Sequence, residues 1–346
     1  MTGTAEPVGP AGTDRATTEV ARVMTREFAE DILGPLVLGR HGSVGDVAIA
    51  VIHRAREGRV TVRYSFDSDH VVYGKLYTRG SGSHACGILR ELWGDGFGEE
   101  SSYRVPEPIA YLPHPEFLLT KAVPGTPLVE RIDNNDVDGL TRGSREAARW
   151  LVRLHRHPIR VGKREPLWES ARMTGILKRL TRSATAAPDA KEPLWRLVES
   201  LLEEAKTGLR EREPVQIHAR FHPEHAFNAG SVTSLIDFDE SVPSDPARDL
   251  AEFLTMMRMR KFRNAGSVSS LDAPTRAFLD EYLSLLPQNG ANLRIHWGGR
   301  LLVSVLHLVS ECKDDPEALA RAIEFGSEEL DRVMSGEFLP GGYDPV

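Results

Sequence analysis

Between residues 218 and 225 the chain reads HARFHPEH, placing three histidines, an arginine and a glutamate within eight positions, and LIDFDE follows with Asp237 and Asp239. So many nitrogen and carboxylate donors beside apolar, strand-like runs suit two kinds of chemistry: holding a divalent ion or moving a phosphoryl group. His218, His222 and His225 are spaced four and three apart, so on a helix all three would share one face, as a zinc site needs. Pro223 opposes that helix, because proline disfavours helical backbone at the residue before it, and the preceding VQI has strand character. The spacing therefore predicts a loop. Loop histidines satisfied by backbone groups are the plain alternative, and the residues by themselves leave it open beside the zinc site and the phosphotransfer loop.

The elements that must position this loop fall into two regions. After a helix expected around Glu19 to Asp31, DVAIAVIHRAREGRVTVRYSFDSDHVVYGKLYT alternates β-branched and polar residues, with breaks at Glu57-Gly58 and Asp67 to Asp69. That pattern predicts three antiparallel strands in a meander. A helix follows in SGSHACGILRELWGDGF, where Ile88, Leu89, Leu92 and Trp93 recur at helical spacing and Gly94 ends the run. EPIAYL and FLLTKAV predict two more strands, closed by Pro124-Gly125. Beyond Gly125 the chain turns helical in SREAARWLVRLHRHP, PLWRLVESLLEEAKTGLR, DPARDLAEFLTMMRMR, PTRAFLDEYLSLL and the stretch after Ile295, with two short strands in PVQIHARF and TSLIDFDE. Strands early and helices late predict an α+β chain in two lobes. Residues 1–15 are expected as a flexible tail, 16–123 as the strand-rich lobe and 124–346 as the helical lobe.

Composition narrows the function. A net charge of −7 with 27% charged residues offers no broad basic face for nucleic acid or acidic lipid. Cys86 and Cys312 lie far apart and form no CxxC pair, which points away from disulfides and thiolate zinc and towards a cytoplasmic protein. The N-terminal segment lacks the basic start and apolar run of a signal peptide, and RLLVSVLHLVS is about half the length of a membrane span. NNDVDG lacks the terminal glutamate of a calcium loop, and GDGFG follows a helix rather than linking a strand to one, so both are expected as turns.

Taken in order, the strand lysine of VVYGKLYT, the helix glutamate of ILRELW, the linker LLTKAVPGTPL, the helix end RLHRHP, then HARFHPEHAF, LIDFDE and SDPARDLAEFL resemble the aminoglycoside phosphotransferase and choline kinase family. The resemblance runs from about residue 35 to about residue 260. It implies a protein-kinase-like two-lobe fold, with ATP and magnesium or manganese as cofactors. It implies that Lys75 holds the α- and β-phosphates and is positioned by Glu91, and that the backbone of Lys121, Ala122 and Val123 meets the adenine. It makes Asp237 a metal ligand, with Asp239 on the same strand face two residues on, and it gives Asp245 and Asp249 supporting roles at the start of a helix.

The departures are as informative. Where the family carries His-Gly-Asp and, after four more residues, Asn, this chain has His218-Ala219-Arg220 and His225. A guanidinium stays protonated at neutral pH, so Arg220 cannot be a base, and an imidazole is a poor ligand for magnesium. Asn228 lies three residues past the expected asparagine, and a slip in register would misalign HPEH. A glycine-rich phosphate loop is missing at HRAREGRV, a minor departure for this family. Two readings follow. One is a divergent ATP-dependent phosphotransferase acting on a small-molecule hydroxyl, with Arg220 on the γ-phosphate, His222, Glu224 or Asp239 orienting the acceptor, and Asp237 with His225 holding the metal. The other is a pseudokinase, a nucleotide-binding or scaffold protein in which Arg220 pairs with Asp237 or Asp239 and fills the metal site; a protein partner belongs to this reading alone. A third, altered metal chemistry, would use His222, His225 and Asp237. None involves nucleic acid or a membrane.

Overall fold

In the computed structural model of the chain, the alternating segment folds as β1 (Val47–Arg54), β2 (Val60–Phe66) and β3 (His70–Leu76), joined antiparallel with Val47 opposite Phe66 and Val60 opposite Leu76. The structure describes residues 11–39, 46–54, 59–66, 70–78, 80–163, 175, 176, 178–180, 182, 191–341 and 343. The breaks expected at Glu57-Gly58 and Asp67 to Asp69 lie outside these. The chain divides into two compact units, Met1–Val123 and Pro124–Val346.

In the first unit β4 (Pro108–Pro113) and β5 (Glu116–Lys121) complete a five-stranded antiparallel sheet in the order β1-β2-β3-β5-β4. The period of two puts Val60, Val62, Tyr64 and Phe66 on one face with Val72, Leu76, Phe117 and Leu119, where they bury Phe28, Ala29 and Leu33. Gly74 permits this packing, since a Cβ there would stand 1.9 Å from the Phe117 ring. By the same alternation Lys75 belongs to the opposite face. The helix expected around Glu19 to Asp31 is two pieces, α1 (Ala11–Val23) and a π-helical turn, Phe28–Leu33, that runs into α2 (Gly34–Leu38). At the break the Thr25 hydroxyl accepts the Phe28 N–H at 3.1 Å. Helix α1 starts at Ala11, so it takes in residues 11–15 of the segment expected as a tail. Helix α3 (Gly82–Gly94) buries Ala85, Cys86, Ile88, Leu89 and Leu92.

The second unit begins with the short strand β6 (Thr126–Pro127) and helices α4 (Leu128–Asp133) and α5 (Val137–Arg156). Gly125 makes the entry turn at φ 99°, where a Cβ would sit 2.3 Å from the Asn228 carbonyl oxygen. After α6 (Lys191–Gly208) come β7 (Val215–Ile217), β8 (Ala226–Ala229), β9 (Val232–Leu235) and β10 (Val242–Ser244), all paired antiparallel: β9 and β6 with β8, and β10 with β7. Helices α7 (Ala247–Ala265), α8 (Asp272–Leu285), α9 (Leu293–Glu311) and α10 (Pro316–Met334) complete the unit. Phe221 of the 218–225 loop packs on Phe253 of α7 at 5.1 Å between ring centres, and Phe253 stacks on Phe278 of α8 at 4.6 Å. An apolar anchor thus sits in the middle of the polar loop. Both cysteines are free, and no helix of the described residues is long and apolar enough to cross a membrane.

Candidate active site

Residues 218–225 form a loop, as Pro223 predicts, and a buried carboxylate holds its start. Asp249, in the first turn of α7, accepts the His218 N–H on Oδ2 and the Ala219 N–H on Oδ1, each at 2.7 Å. Behind it, His155 Nε2 lies 3.2 Å from Asp249 Oδ2 and Nδ1 lies 2.6 Å from the Tyr282 hydroxyl. Burial pushes the Tyr282 phenol well up, so it keeps its proton and donates to Nδ1, while the Asn289 amide donates to the phenol oxygen at 2.9 Å. The proton order is then fixed: Asn289 to Tyr282, Tyr282 to His155, His155 to Asp249. Ala219 has φ 67°, a left-handed conformation that disfavours a Cβ and that the two amide bonds hold in place. Asp245 supports the same helix start by accepting the Ala247 N–H at 2.9 Å, though Pro246 rather than Asp245 occupies the cap position.

His218 points inward. Its Nε2–H donates to the Ile236 carbonyl at 2.9 Å, and burial pushes its pKa down to about 4, so the ring is neutral. His218 therefore ties the loop to the aspartate segment and is not a ligand beside His222 and His225, which removes the three-histidine zinc site. Asn228 is also settled: it pairs with Thr126 and Thr233 in the sheet, and its amide donates to the Thr233 hydroxyl at 2.9 Å. A register slip onto Asn228 would break that pairing.

The outward side chains carry the departures. Arg220 is exposed, and among the described residues its guanidinium has no ion pair; the pairing with Asp237 or Asp239 expected of a filled metal site is not made. His222 is buried, with Nε2 at 2.7 Å from Oε1 of Glu252 on α7. Burial would raise the Glu252 carboxyl, but the His222 hydrogen bond and the Arg300 guanidinium hold it far below the usual range, so Glu252 is an anion. His225 lies parallel to His222, 5.0 Å between ring centres and 3° between planes. His225 Nδ1 donates to the Arg220 carbonyl at 2.9 Å. Its Nε2 stands 3.5 Å from Asp237 Oδ2. Asp237 has φ 71° and β9 ends at Leu235, so the chain turns before Asp239, and the two acids do not share a strand face. Asp239 is half-buried at the start of the following turn.

This donor set can be tested against a divalent ion. Burial pushes the His225 pKa down, and with Nδ1–H committed to a carbonyl the neutral ring turns the Nε2 lone pair towards the Asp237 carboxylate. Two donors 3.5 Å apart suit neighbouring ligands of one tetrahedral ion, for which bonds of about 2.1 Å give roughly this separation. A nitrogen and an oxygen donor fit manganese or zinc better than magnesium. Ligand atoms of His222, Glu224 and His225 also lie within 4.8 Å of one another. A cavity of about 530 Å³ borders His222, Pro223 and Glu224 on one side and α7 and α9 on the other.

Within the first unit, Lys75 sits on β3 between Thr61 and Leu118, its ammonium 5.7 Å from the centre of the Tyr77 ring. Glu91 is exposed on α3, outside the stripe formed by Ile88, Leu89 and Leu92, and among the described residues its carboxylate has no ion pair. The Lys75–Glu91 pair is therefore not made. The Lys121 N–H donates to the Glu107 carbonyl and the Ala122 N–H to the Val71 carbonyl. Of the N–H groups in the backbone stretch expected to meet adenine, only that of Val123 is left to donate, among the described residues.

Sequence reasoning missed Glu252, Arg260 and Arg300. The signal was present for the first two: Glu252, Met256, Arg260 and Arg263 follow Asp249 at helical spacing, so they continue along the helix face that Asp249 begins. Arg300 comes from a helix whose pairing with α7 no local pattern announces.

Residues 86–288 match the model of the phosphotransferase enzyme family. No curated protein matches the chain. Among solved structures, choline kinase from Cryptosporidium parvum aligns with a TM-score of 0.56 at 12% identity, over 94% of this chain and 98% of its own. Spectinomycin phosphotransferase in complex with ADP and spectinomycin aligns at 0.57 and 12% identity, over 85% of this chain and 94% of its own. An aminoglycoside phosphotransferase with ADP and hygromycin B aligns at 0.54 and 12%, over 89% and 98%. These likenesses give the chain a protein-kinase-like α+β fold.

Proposed function

The chain belongs to the phosphotransferase enzyme family, and on that premise we propose that it transfers the γ-phosphoryl group of ATP to a small-molecule hydroxyl, with His222 as the base. One observation carries the reading: His222 Nε2 lies 2.7 Å from the buried Glu252 carboxylate, on the wall of the cavity beside the loop. Glu252 fixes the ring with Nε2–H as donor and leaves Nδ1, which has no hydrogen-bond partner among the described residues, as the acceptor. As the acceptor oxygen attacks γ-phosphorus, its proton passes to Nδ1, the bond from phosphorus to the bridging oxygen breaks, and ADP leaves. The imidazolium so formed is stabilised by Glu252. Such a base contributes about 10²- to 10⁴-fold, enough to replace the aspartate the chain lacks at position 220.

Other residues take supporting roles. Lys75 holds the nucleotide phosphates and the Val123 backbone meets the adenine, a use of nucleotide in keeping with the ADP in two of the similar structures. Asp237 and His225 would hold a divalent ion, manganese in preference to magnesium, which supplies charge neutralisation at the phosphate oxygens. Arg220 is exposed and without an ion pair among the described residues, which leaves its guanidinium available to γ-phosphate charge on this reading, and Asp239 is a second group for orienting the acceptor. The exposed Glu91, which makes no ion pair among the described residues, favours the second reading, a protein that binds nucleotide without transfer. Calorimetric titration of ATP with manganese or magnesium, followed by ATP consumption with a panel of alcohols, separates the two. Binding with turnover supports the transferase; binding with no turnover across the panel supports the second reading.

A further inference from the structure

We infer that the molecule received in the cavity beside the loop is an anion with an apolar body. That it is also the acceptor rests on the phosphotransfer reading; its charge does not. Arg260 and Arg263 of α7, Arg300 of α9 and Arg179 line the cavity, and among the described residues Glu224 is the one carboxylate on the lining. Three of these arginines are anchored by acids that are not on the wall. Asp133 takes Arg260 Nε and Nη2 at 2.7 Å each, Glu311 takes Arg263 Nη2 at 2.8 Å, and Glu252 takes Arg300 Nη2 at 3.0 Å and also its Nε.

The anchors matter in two opposed ways. They balance charge: Asp133, Glu252, Glu311 and Glu224 offset the four arginines, so the region carries no large net field. They also fix the guanidinium planes, which lowers the entropy lost when a ligand binds. What a ligand meets is decided at short range, where charge interactions are strongest, by the nearest atoms. Arg260 keeps Nη1, and Arg263 keeps Nε and Nη1, as N–H donors with no partner among the described residues. An ammonium group entering there would find one carboxylate among four guanidinium groups and would lose its water without replacement. A carboxylate or phosphate would find preset donors and form charge-assisted hydrogen bonds. Val129, Met256, Met259 and Val303 supply the apolar remainder, and the thioethers adapt to varied shapes. A volume of about 530 Å³ lies in the usual range of small-molecule sites.

The test uses the full chain without nucleotide or metal, and probes on one para-hydroxymethylphenyl frame that differ in the charge of the second substituent: para-hydroxymethylbenzoate and para-hydroxymethylphenylphosphonate as anions, para-hydroxymethylbenzyl alcohol as neutral, and para-hydroxymethylbenzylamine as cation. Ligand-observed magnetic resonance is expected to give at least one anion a dissociation constant about tenfold or more below that of the amine. The stronger anion tells a carboxylate ligand from a phosphorylated one. Arg263→Gln is expected to remove most of that preference; its side chain is 42% exposed with a single surface partner, so the variant keeps its fold, and Arg260→Gln serves as the second variant. An amine bound as tightly as the anions, no binding of either anion, or a preference unchanged in both variants overturns the inference. Because ATP and metal are absent, failure of phosphoryl transfer leaves this result standing, while efficient transfer to the amine would sink the inference and spare the transferase.

Discussion

The two ends of the 218–225 loop are built on different principles. At the buried end, backbone does the work: the His218 and Ala219 amides are clamped by Asp249, and the clamp is held through His155 and Tyr282. At the open end, side chains project from a path already set, and there Arg220 and His225 stand where the resemblance leads one to expect an aspartate and an asparagine. The difference teaches how chemistry can change while a fold stands. A loop fixed by its amides places few demands on the side chains it carries outward, so the aspartate position can become arginine without refolding.

The comparison can be broken most forcefully at the buried end. Asp249→Ala would leave two buried amides and His155 without their acceptor, and a loss of about 3–5 kcal/mol in unfolding free energy is expected, read by denaturant titration. A loss under about 1 kcal/mol would mean that the clamp does not set the loop.

The same end carries a pH signature. The His218 pKa is pushed from 6.5 to about 4 by burial, so between those values the unfolded chain takes up a proton that the folded chain refuses. Stability from this group is complete above about pH 6.5 and falls as pH drops, by about 3 kcal/mol on reaching pH 4. A stability profile flat over that window would contradict the buried neutral ring.

Two smaller effects sharpen the contrast. Ala219→Gly relieves a left-handed backbone at the clamped end and is expected to raise stability by about 1 kcal/mol. Arg220→Ala, at the exposed end, is expected to shift it by less than about 0.5 kcal/mol. Paired thermal melts check both, and a large loss from Arg220→Ala would show that the open end also supports the fold.

How far the sequence could be read follows the same division. Period-two alternation in β2 and β3 announced the sheet, Pro223 announced the loop, and Asp249 could be assigned a supporting role from the helix start it shares with Asp245. The Lys75–Glu91 pair was misjudged because the apolar stripe of α3, which turns Glu91 to solvent, outranks a match in motif order. Asp237 and Asp239 were set on one strand face because nothing local signals a left-handed aspartate. The Glu252–His222 contact joins residues thirty positions apart, and Arg300 reaches Glu252 from a third segment, so only the packing of α9 on α7 brings them together.

The account turns on His222, and the most direct measurement is the rate of ATP consumption, with manganese and an alcohol acceptor, by the parent, His222→Gln and Arg220→Ala. The account predicts turnover in the parent, a fall of about 10²-fold or more in His222→Gln with ATP affinity preserved, and a smaller fall in Arg220→Ala. A His222→Gln variant as fast as the parent, or a parent that binds ATP and never consumes it, would contradict the assignment of His222 as the base.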